Sequence, residues 1–469
     1  MKRGGGSNSA RKNLGSRFGM IRLSAEATLV LVFSFFLAAC GGTSSAAHVQ
    51  PPPPNASAIP ATFFAMSDTG FTDPPAVSFG MLGHPVTLAW QNIEQTKGIY
   101  DFTSFFDGYA DIAPLDPDGS NTADLILVLG NTPPWALADT SSCSADTNGV
   151  VGCTAPPDNI QDWTNFVTAL MAHYNGTTVP HIKYYEIWNE ASCTCHYSGT
   201  IPQLVAMAAA AYPIIKTDSH SFVLTPSVVG PAHSSADPAP EFLINYLAAG
   251  GANAADIVTY HGYVAKDNSS PYPLPTEDCS STTDCFGSIL TQINTYRQVL
   301  DDNGMQGKPL FNTEGGFYNS SVPDADTAAA WLAQYYALQA GQYLSSKAQI
   351  VNWWLWGGQI VPGSPEAAPH TPSKVGVAYS QVFSWLVGSV STPCSNVGNL
   401  WTCTITNSAG SPAEIIWDAS RTCASGVCTA SNQTVPTTFT QYFDLAGDPP
   451  TTITDHSAVP VGLKPILLN

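Results

Sequence analysis

Positive charge is what this chain has least of. Lys and Arg together number 16 against 35 Asp and Glu, and charged residues of both signs make up only 11% of the 469 residues. A net charge of −19 argues against a phosphate backbone or an anionic lipid surface as a partner, since both would be repelled. No nucleic-acid partner is expected, and a neutral glycan fits better. Long apolar runs are missing as well. The one near the N-terminus, Ala27 to Ala39, is short for a helix that crosses a bilayer, and it follows Lys2, Arg3, Arg11, Lys12, Arg17 and Arg22, as in an export signal.

The run closes on Leu37-Ala-Ala-Cys40-Gly, which resembles a bacterial lipoprotein signal. That resemblance implies cleavage before Cys40, a lipid anchor on its thiol as the only tie to a membrane, and a place in the bacterial cell envelope; an ordinary signal peptide with an incidental cysteine is the alternative. Residues 41–60, with Pro51-Pro-Pro-Pro54 among small residues, read as a linker. The other cysteines fall in local pairs, 143/153, 193/195, 279/285, 394/403 and 423/428, as expected for disulfides in an exported chain. Because Cys193 and Cys195 are one residue apart, crossing to Cys143 and Cys153 is an alternative. A metal site from Cys193, Cys195 and His196 is a third, but a structural zinc usually needs four ligands and no fourth is indicated. No metal and no cofactor are expected.

The middle of the chain alternates strands and helices. Phe64 lies in a first strand, Thr62 to Met66, and Pro85 to Trp90 gives a weaker second. Asp124 to Leu129 is an unbroken apolar run, as a parallel strand buried on both faces requires. Trp163, Phe166, Val167, Leu170, Met171 and Tyr174 recur at helical spacing and lead into Tyr184-Tyr-Glu-Ile-Trp188, a strand that stops in Asn189-Glu190. Phe222 to Thr225, Ala255 to Tyr260, Lys308 to Glu314 and Ile350 to Trp356 continue the series. Eight strands with intervening helices over 61–390 predict a (β/α)8 TIM barrel, whose functional groups sit at the C-terminal strand ends. Glu190 and Glu314 stand at two such ends. After Val390 short strands without a helix predict a small C-terminal β-sandwich over 391–469, read as a structural cap or a glycan-binding module.

Trp188-Asn-Glu190 after a strand, followed by Thr313-Glu-Gly315, resembles the carboxylate pair of retaining glycoside hydrolases of clan A. Glu186-Ile-Trp-Asn-Glu190 and Thr132-Pro-Pro-Trp135 are most similar to family 39 and its relatives. W-x-x-I-E-x-x-x-G-x-Y-D-F, from Trp90 to Phe102, matches the segment after their second strand, although the arginine that members often carry before it is absent from 78–92, where His84 lies nearby. The resemblance implies hydrolysis of β-glycosidic bonds in a neutral poly- or oligosaccharide, with Glu190 as general acid/base and Glu314 as nucleophile. It also implies Asn189 on the sugar 2-hydroxyl, Tyr263 orienting the nucleophile, with Tyr260 or His261 as the alternative, and His261 lining the pocket. An aromatic platform is expected from Trp356, with Trp135 and Trp90 as weaker choices. Glu186 reads as an interior hydrogen-bond acceptor. Proximity to charged Glu314 predicts a raised pKa for Glu190. A glycan-binding lipoprotein without chemistry and a transglycosylase are the competing readings.

Overall fold

The computed structural model describes residues 57–67, 77–83, 90–103, 106–146, 149–229, 239–264, 275–276, 287–316, 324–354, 366–367 and 371–469. Cys40, His84, Trp356, the 279/285 cysteine pair, the export signal and most of the linker lie outside them. Among the described residues no helix is long and apolar enough to cross a membrane.

Eight parallel strands form one sheet: β1 Phe64–Met66, β2 Met81–Leu82, β3 Thr122–Val128, β4 His181–Glu186, β5 Phe222–Leu224, β6 Val258–Tyr263, β7 Leu310–Gly316 and β8 Ala348–Trp353. Their spatial order runs β5-β4-β3-β2-β1-β8-β7-β6. Thr225 N–H donating to the Ile257 carbonyl (3.0 Å) and the parallel bridge between Leu224 and Ile257 join β5 to the segment entering β6, so the sheet closes into a barrel. Its interior is filled by Ala65, Met81, Ile126, Tyr184, Leu224, Ile257, Phe311 and Ile350, one from each strand or from the residue just before it. This apolar layer is a floor: Glu186 lies two residues beyond Tyr184 on the same face, above it.

The second strand of the sheet comes before the expected Pro85 to Trp90, of which residues 85–89 lie outside the described residues. It occupies Met81–Leu82, and Trp90 opens a short helix, Trp90–Ile93. The cause is local: the Trp90 indole N–H donates to Glu94 Oε2 (2.6 Å) and the Gly98 N–H to Glu94 Oε1 (2.7 Å), so Glu94 pins a turn that an extended chain could not make. Gly98, at φ +77°, supplies the left-handed residue this turn needs. The longer helices follow their apolar stripes, for example Ile160–His173, capped by Asn159, and Ile201–Ile215, opened by a reciprocal cap between Thr200 and Gln203.

Beyond the helix Lys374–Leu386 the chain builds an antiparallel sheet around Leu400–Thr406, Pro412–Asp418 and Ile466–Leu468. A smaller pair, Ala430–Gln433 with Val459–Gly462, faces it, and Ile416, Val435, Phe439, Ile453, Val461 and Leu468 fill the space between them. This is the expected sandwich. It packs on the barrel helix Ala325–Ala340, named α7 here as the seventh barrel helix, with α1 Trp90–Ile93, α2 Phe106–Ile112, α3 Ile160–His173, α4 Ile201–Ile215, α5 Ala239–Ala248 and α6 Ile289–Asp302 before it. Gln334 donates to the Leu463 carbonyl (2.8 Å), and Asp326 meets Lys464 (3.1 Å). Buried between the two layers, α7 has no solvent face: every residue from Asp326 to Ala340 is buried. Its Ala-rich, weakly amphipathic sequence fits that position.

Candidate active site

β4 ends at Glu186, two residues earlier than the aromatic run suggested. The chain then bulges: Ser227 N–H donates to the Trp188 carbonyl (2.9 Å), Ala191 N–H to the Ser227 carbonyl (3.0 Å), and Glu190 N–H to Ser227 Oγ (2.9 Å). Within this turn Glu190 takes φ +42°, a conformation that a non-glycine residue adopts only where its surroundings hold it. The turn separates Asn189 from Glu190 and brings the Glu190 carboxyl over the barrel mouth. Trp188 points the other way, fully buried, with its indole N–H donating to the His196 carbonyl (2.8 Å).

β6 and β7 deliver the remaining groups side by side, with His261 in register with Glu314 and Tyr263 with Gly316. A register shift between Tyr260 and His261 sets this alignment, and Gly262 is clamped within it. Its N–H donates to Asn312 Oδ1 (2.9 Å) and its carbonyl accepts from the Tyr335 hydroxyl (2.6 Å). A Cβ at Gly262 would lie 2.5 Å from Asn312 Nδ2.

The side chains form one buried chain. His261 Nδ1 lies 2.7 Å from Glu190 Oε1 and 3.5 Å from Glu314 Oε2, and the Tyr263 hydroxyl donates to Glu314 Oε1. One oxygen of each glutamate and a ring nitrogen of His261 all lie within 4.8 Å of one another. On its other side Glu190 Oε2 meets His196 Nε2 at 3.0 Å, and His196 Nδ1 meets Asp146 Oδ2 at 3.0 Å. Glu190, Glu314, His196, His261, Tyr263 and Asp146 are each at most 7% exposed.

The electrostatics differ from the sequence expectation. Burial pushes the Glu190 carboxyl up, but hydrogen bonds from His196 and His261 outweigh it and hold the group well below the usual carboxylate range. The pKa of Glu190 is therefore lowered rather than raised, because two imidazoles reach it and overcome the negative neighbour. Burial pulls His261 down, and the charges of Glu314, Glu190 and Glu186 with the Glu190 hydrogen bond more than reverse this, to about 9. His196, likewise opposed by burial, is raised to about 10 by Asp146 and Glu190.

Asn189 keeps its Oδ1 buried with no partner among the described residues, as an acceptor reserved for a ligand hydroxyl would be. The aromatic candidates divide. Trp90 is fully buried against Trp163 and Phe166, so it belongs to the core. Trp135 is half-buried, with its indole N–H donating to the Glu94 carbonyl (2.7 Å), its ring edge-on to Trp90 and Lys97 above it. Trp356 lies outside the described residues. Its neighbour Trp354 packs against Tyr263 and Val229 and is the tryptophan that adjoins the site.

Cys143–Cys153 and Cys193–Cys195 close as disulfides within their own loops, without crossing, as do Cys394–Cys403 and Cys423–Cys428. Cys193 and Cys195 are paired with each other here rather than offered as thiolates beside His196. Sequence reasoning missed Asp146, His196 as a hydrogen-bond partner of Glu190, and Ser227. The only signal was that Asp146 lies inside one cysteine loop and His196 immediately follows another.

No protein-family model and no curated protein matches the chain. Solved structures do. A family 39 glycoside hydrolase from the gut symbiont Bacteroides cellulosilyticus WH2 is 16% identical, with a TM-score of 0.62, covering 89% of this chain and 82% of that one. A monomeric beta-xylosidase from Caulobacter crescentus CB15 is 14% identical (TM-score 0.57; 88% and 97% covered), and a family 39 enzyme from Xanthomonas axonopodis pv. citri is 15% identical (TM-score 0.54; 88% and 94%). At these identities the likeness is one of fold: the chain has the barrel-and-sandwich architecture of these glycoside hydrolases.

Proposed function

We propose that this chain is a retaining glycoside hydrolase of clan A, similar to family 39, that cleaves β-glycosidic bonds of a neutral poly- or oligosaccharide. The observation that carries the reading is the approach of Glu190 and Glu314, with oxygens within 4.8 Å, at the ends of two barrel strands. Retaining enzymes hold their carboxyl groups about 5–5.5 Å apart, whereas inverting ones leave about 6.5–9.5 Å for a water. The short spacing favours double displacement.

Glu314, oriented by the Tyr263 hydroxyl, attacks the anomeric carbon as the bond to the leaving oxygen breaks, and that oxygen takes a proton through Glu190. A glycosyl ester on Glu314 results. Water then attacks the same carbon, gives its proton to Glu190 and frees Glu314. Asn189 accepts from the sugar 2-hydroxyl, and Trp354 or Trp356 offers a ring face to the pyranose. The two carboxylates supply both proton transfer and the covalent step, so the reaction calls for no cofactor.

Released-sugar analysis over a panel of plant and microbial glycans defines the substrate, with β-xylosides tried first because one fold relative is a beta-xylosidase. With the responding sugar in hand, Glu314→Ala is expected to abolish turnover while retaining the fold. Azide is expected to restore turnover to the variant with an anomerically inverted product. Undiminished hydrolysis by Glu314→Ala would overturn the assignment.

A further inference from the structure

Glu190 is gripped from two sides, and the two grips differ. His261 offers one nitrogen, Nδ1, to Glu190 and Glu314 together, so a single proton there serves both carboxylates. His196 presents both ring nitrogens to carboxylates, Nε2 to Glu190 and Nδ1 to Asp146, each at 3.0 Å. A neutral imidazole has only one N–H, so it would leave one of these oxygens facing a nitrogen lone pair. The arrangement therefore retains one proton beyond the neutral ring.

We propose that His196, held by Asp146, stores the proton that Glu190 delivers to the departing oxygen and receives back the proton that Glu190 removes from water. This deepens the hydrolase reading and rests on Glu190 being the acid/base. In the first step the His196 Nε2 proton passes to Glu190 and on to the leaving oxygen as its bond to the anomeric carbon breaks. His196 is then neutral, its Nδ1–H still on Asp146, and Glu190 is an anion beside the glycosylated Glu314. In the second step the water proton returns through Glu190 to Nε2 while the water oxygen bonds the anomeric carbon and the ester to Glu314 breaks. No net proton is gained or lost.

His196 is thus a positioning residue that acts through Glu190. Its loop is set independently of its ring, by the Trp188 indole on its carbonyl and by the Cys193–Cys195 disulfide, so replacing the ring leaves the backbone supported. The titratable groups facing the pair are Asp146 on His196, and His261 and, behind it, Glu314 on Glu190; Glu186 acts on His261 and Tyr263 on Glu314.

The test is the pH dependence of kcat/KM for His196→Gln and Asp146→Asn, with dinitrophenyl and methyl β-glycosides of the sugar identified in the released-sugar panel. Losing the store means that the proton is held only to the pKa of Glu190 alone. The alkaline limb of His196→Gln is expected to move acidward by about one pH unit or more. Methyl glycoside hydrolysis is expected to fall by roughly 100-fold, and dinitrophenyl glycoside cleavage, which needs no acid, far less. Asp146→Asn is expected to move the limb in the same direction by less. An unmoved alkaline limb in both variants, with both substrates slowed equally, would overturn the proposal. Glu190→Ala separates the two levels: if it hydrolyses the methyl glycoside normally, the acid/base assignment itself fails.

Discussion

A single residue, Glu190, shows how much of this site is set by neighbours distant in sequence. Its position was legible because it follows a hydrophobic strand and an asparagine. Its ionisation was not, because one of the two imidazoles that lower its pKa, His196, comes with its partner Asp146 from loops without periodicity, where both look like ordinary polar residues. His261 and Tyr263 were legible for the opposite reason, since they continue a strand and share its parity. The His196 contacts also predict a pH-dependent stability. With its pKa raised from 6.5 to about 10, His196 contributes stability that is full below pH 6.5 and is lost as pH rises toward 10. Glu190, with a lowered pKa, contributes above its ordinary value of 4.5 and loses that contribution as pH falls. The melting temperature of the wild type minus that of His196→Gln should therefore be largest between about pH 4.5 and 6.5 and shrink toward pH 10. A difference independent of pH over that range would show that the ring contributes by packing alone.

At the scale of elements, the alternation of apolar runs and helical stripes was enough to find the barrel, because each unit had to bury the same faces whatever its loops did. It failed at Trp90, expected at the end of a strand, where Glu94 ties Trp90 and Gly98 into a turn and propensity gives way to a specific carboxylate. It also missed the register shift in β6, which depends on Asn312 of β7 and Tyr335 of α7 closing on the Gly262 peptide. That clamp leaves no room for a side chain. Gly262→Ala is expected to push the His261 and Tyr263 segment off the glutamates and reduce kcat/KM by roughly 100-fold, the usual cost of a misplacement near 1 Å. Kinetics beside a thermal melt would check it; wild-type kcat/KM would mean that Asn312 swings aside.

For the whole molecule, the decisive contact is between sandwich and barrel. The composition change after Val390 marked a second unit and favoured a structural cap, but a glycan-binding module stayed open beside it because sequence does not reveal which surface is covered. The sandwich covers α7, and α7 in turn holds Gly262, so it supports the site through two layers. Removing residues 391–469 would leave the Ala-rich α7 facing water, and the expected product is insoluble or lacks a cooperative melt. A soluble truncated barrel that unfolds cooperatively and keeps its hydrolytic activity would contradict this.

The strand Ile466–Leu468 lies in the middle of its sheet, between Pro412–Asp418 and Gln441–Phe443, and the Gln334 contact spans 129 residues of sequence. Synthesis therefore runs ahead of folding. A ribosome that has finished all eight barrel strands has made the inner partners of α7, with Tyr335 on Gly262 and Tyr336 on Phe64 and Trp353, but its outer face must wait for Leu463, 129 residues after Gln334.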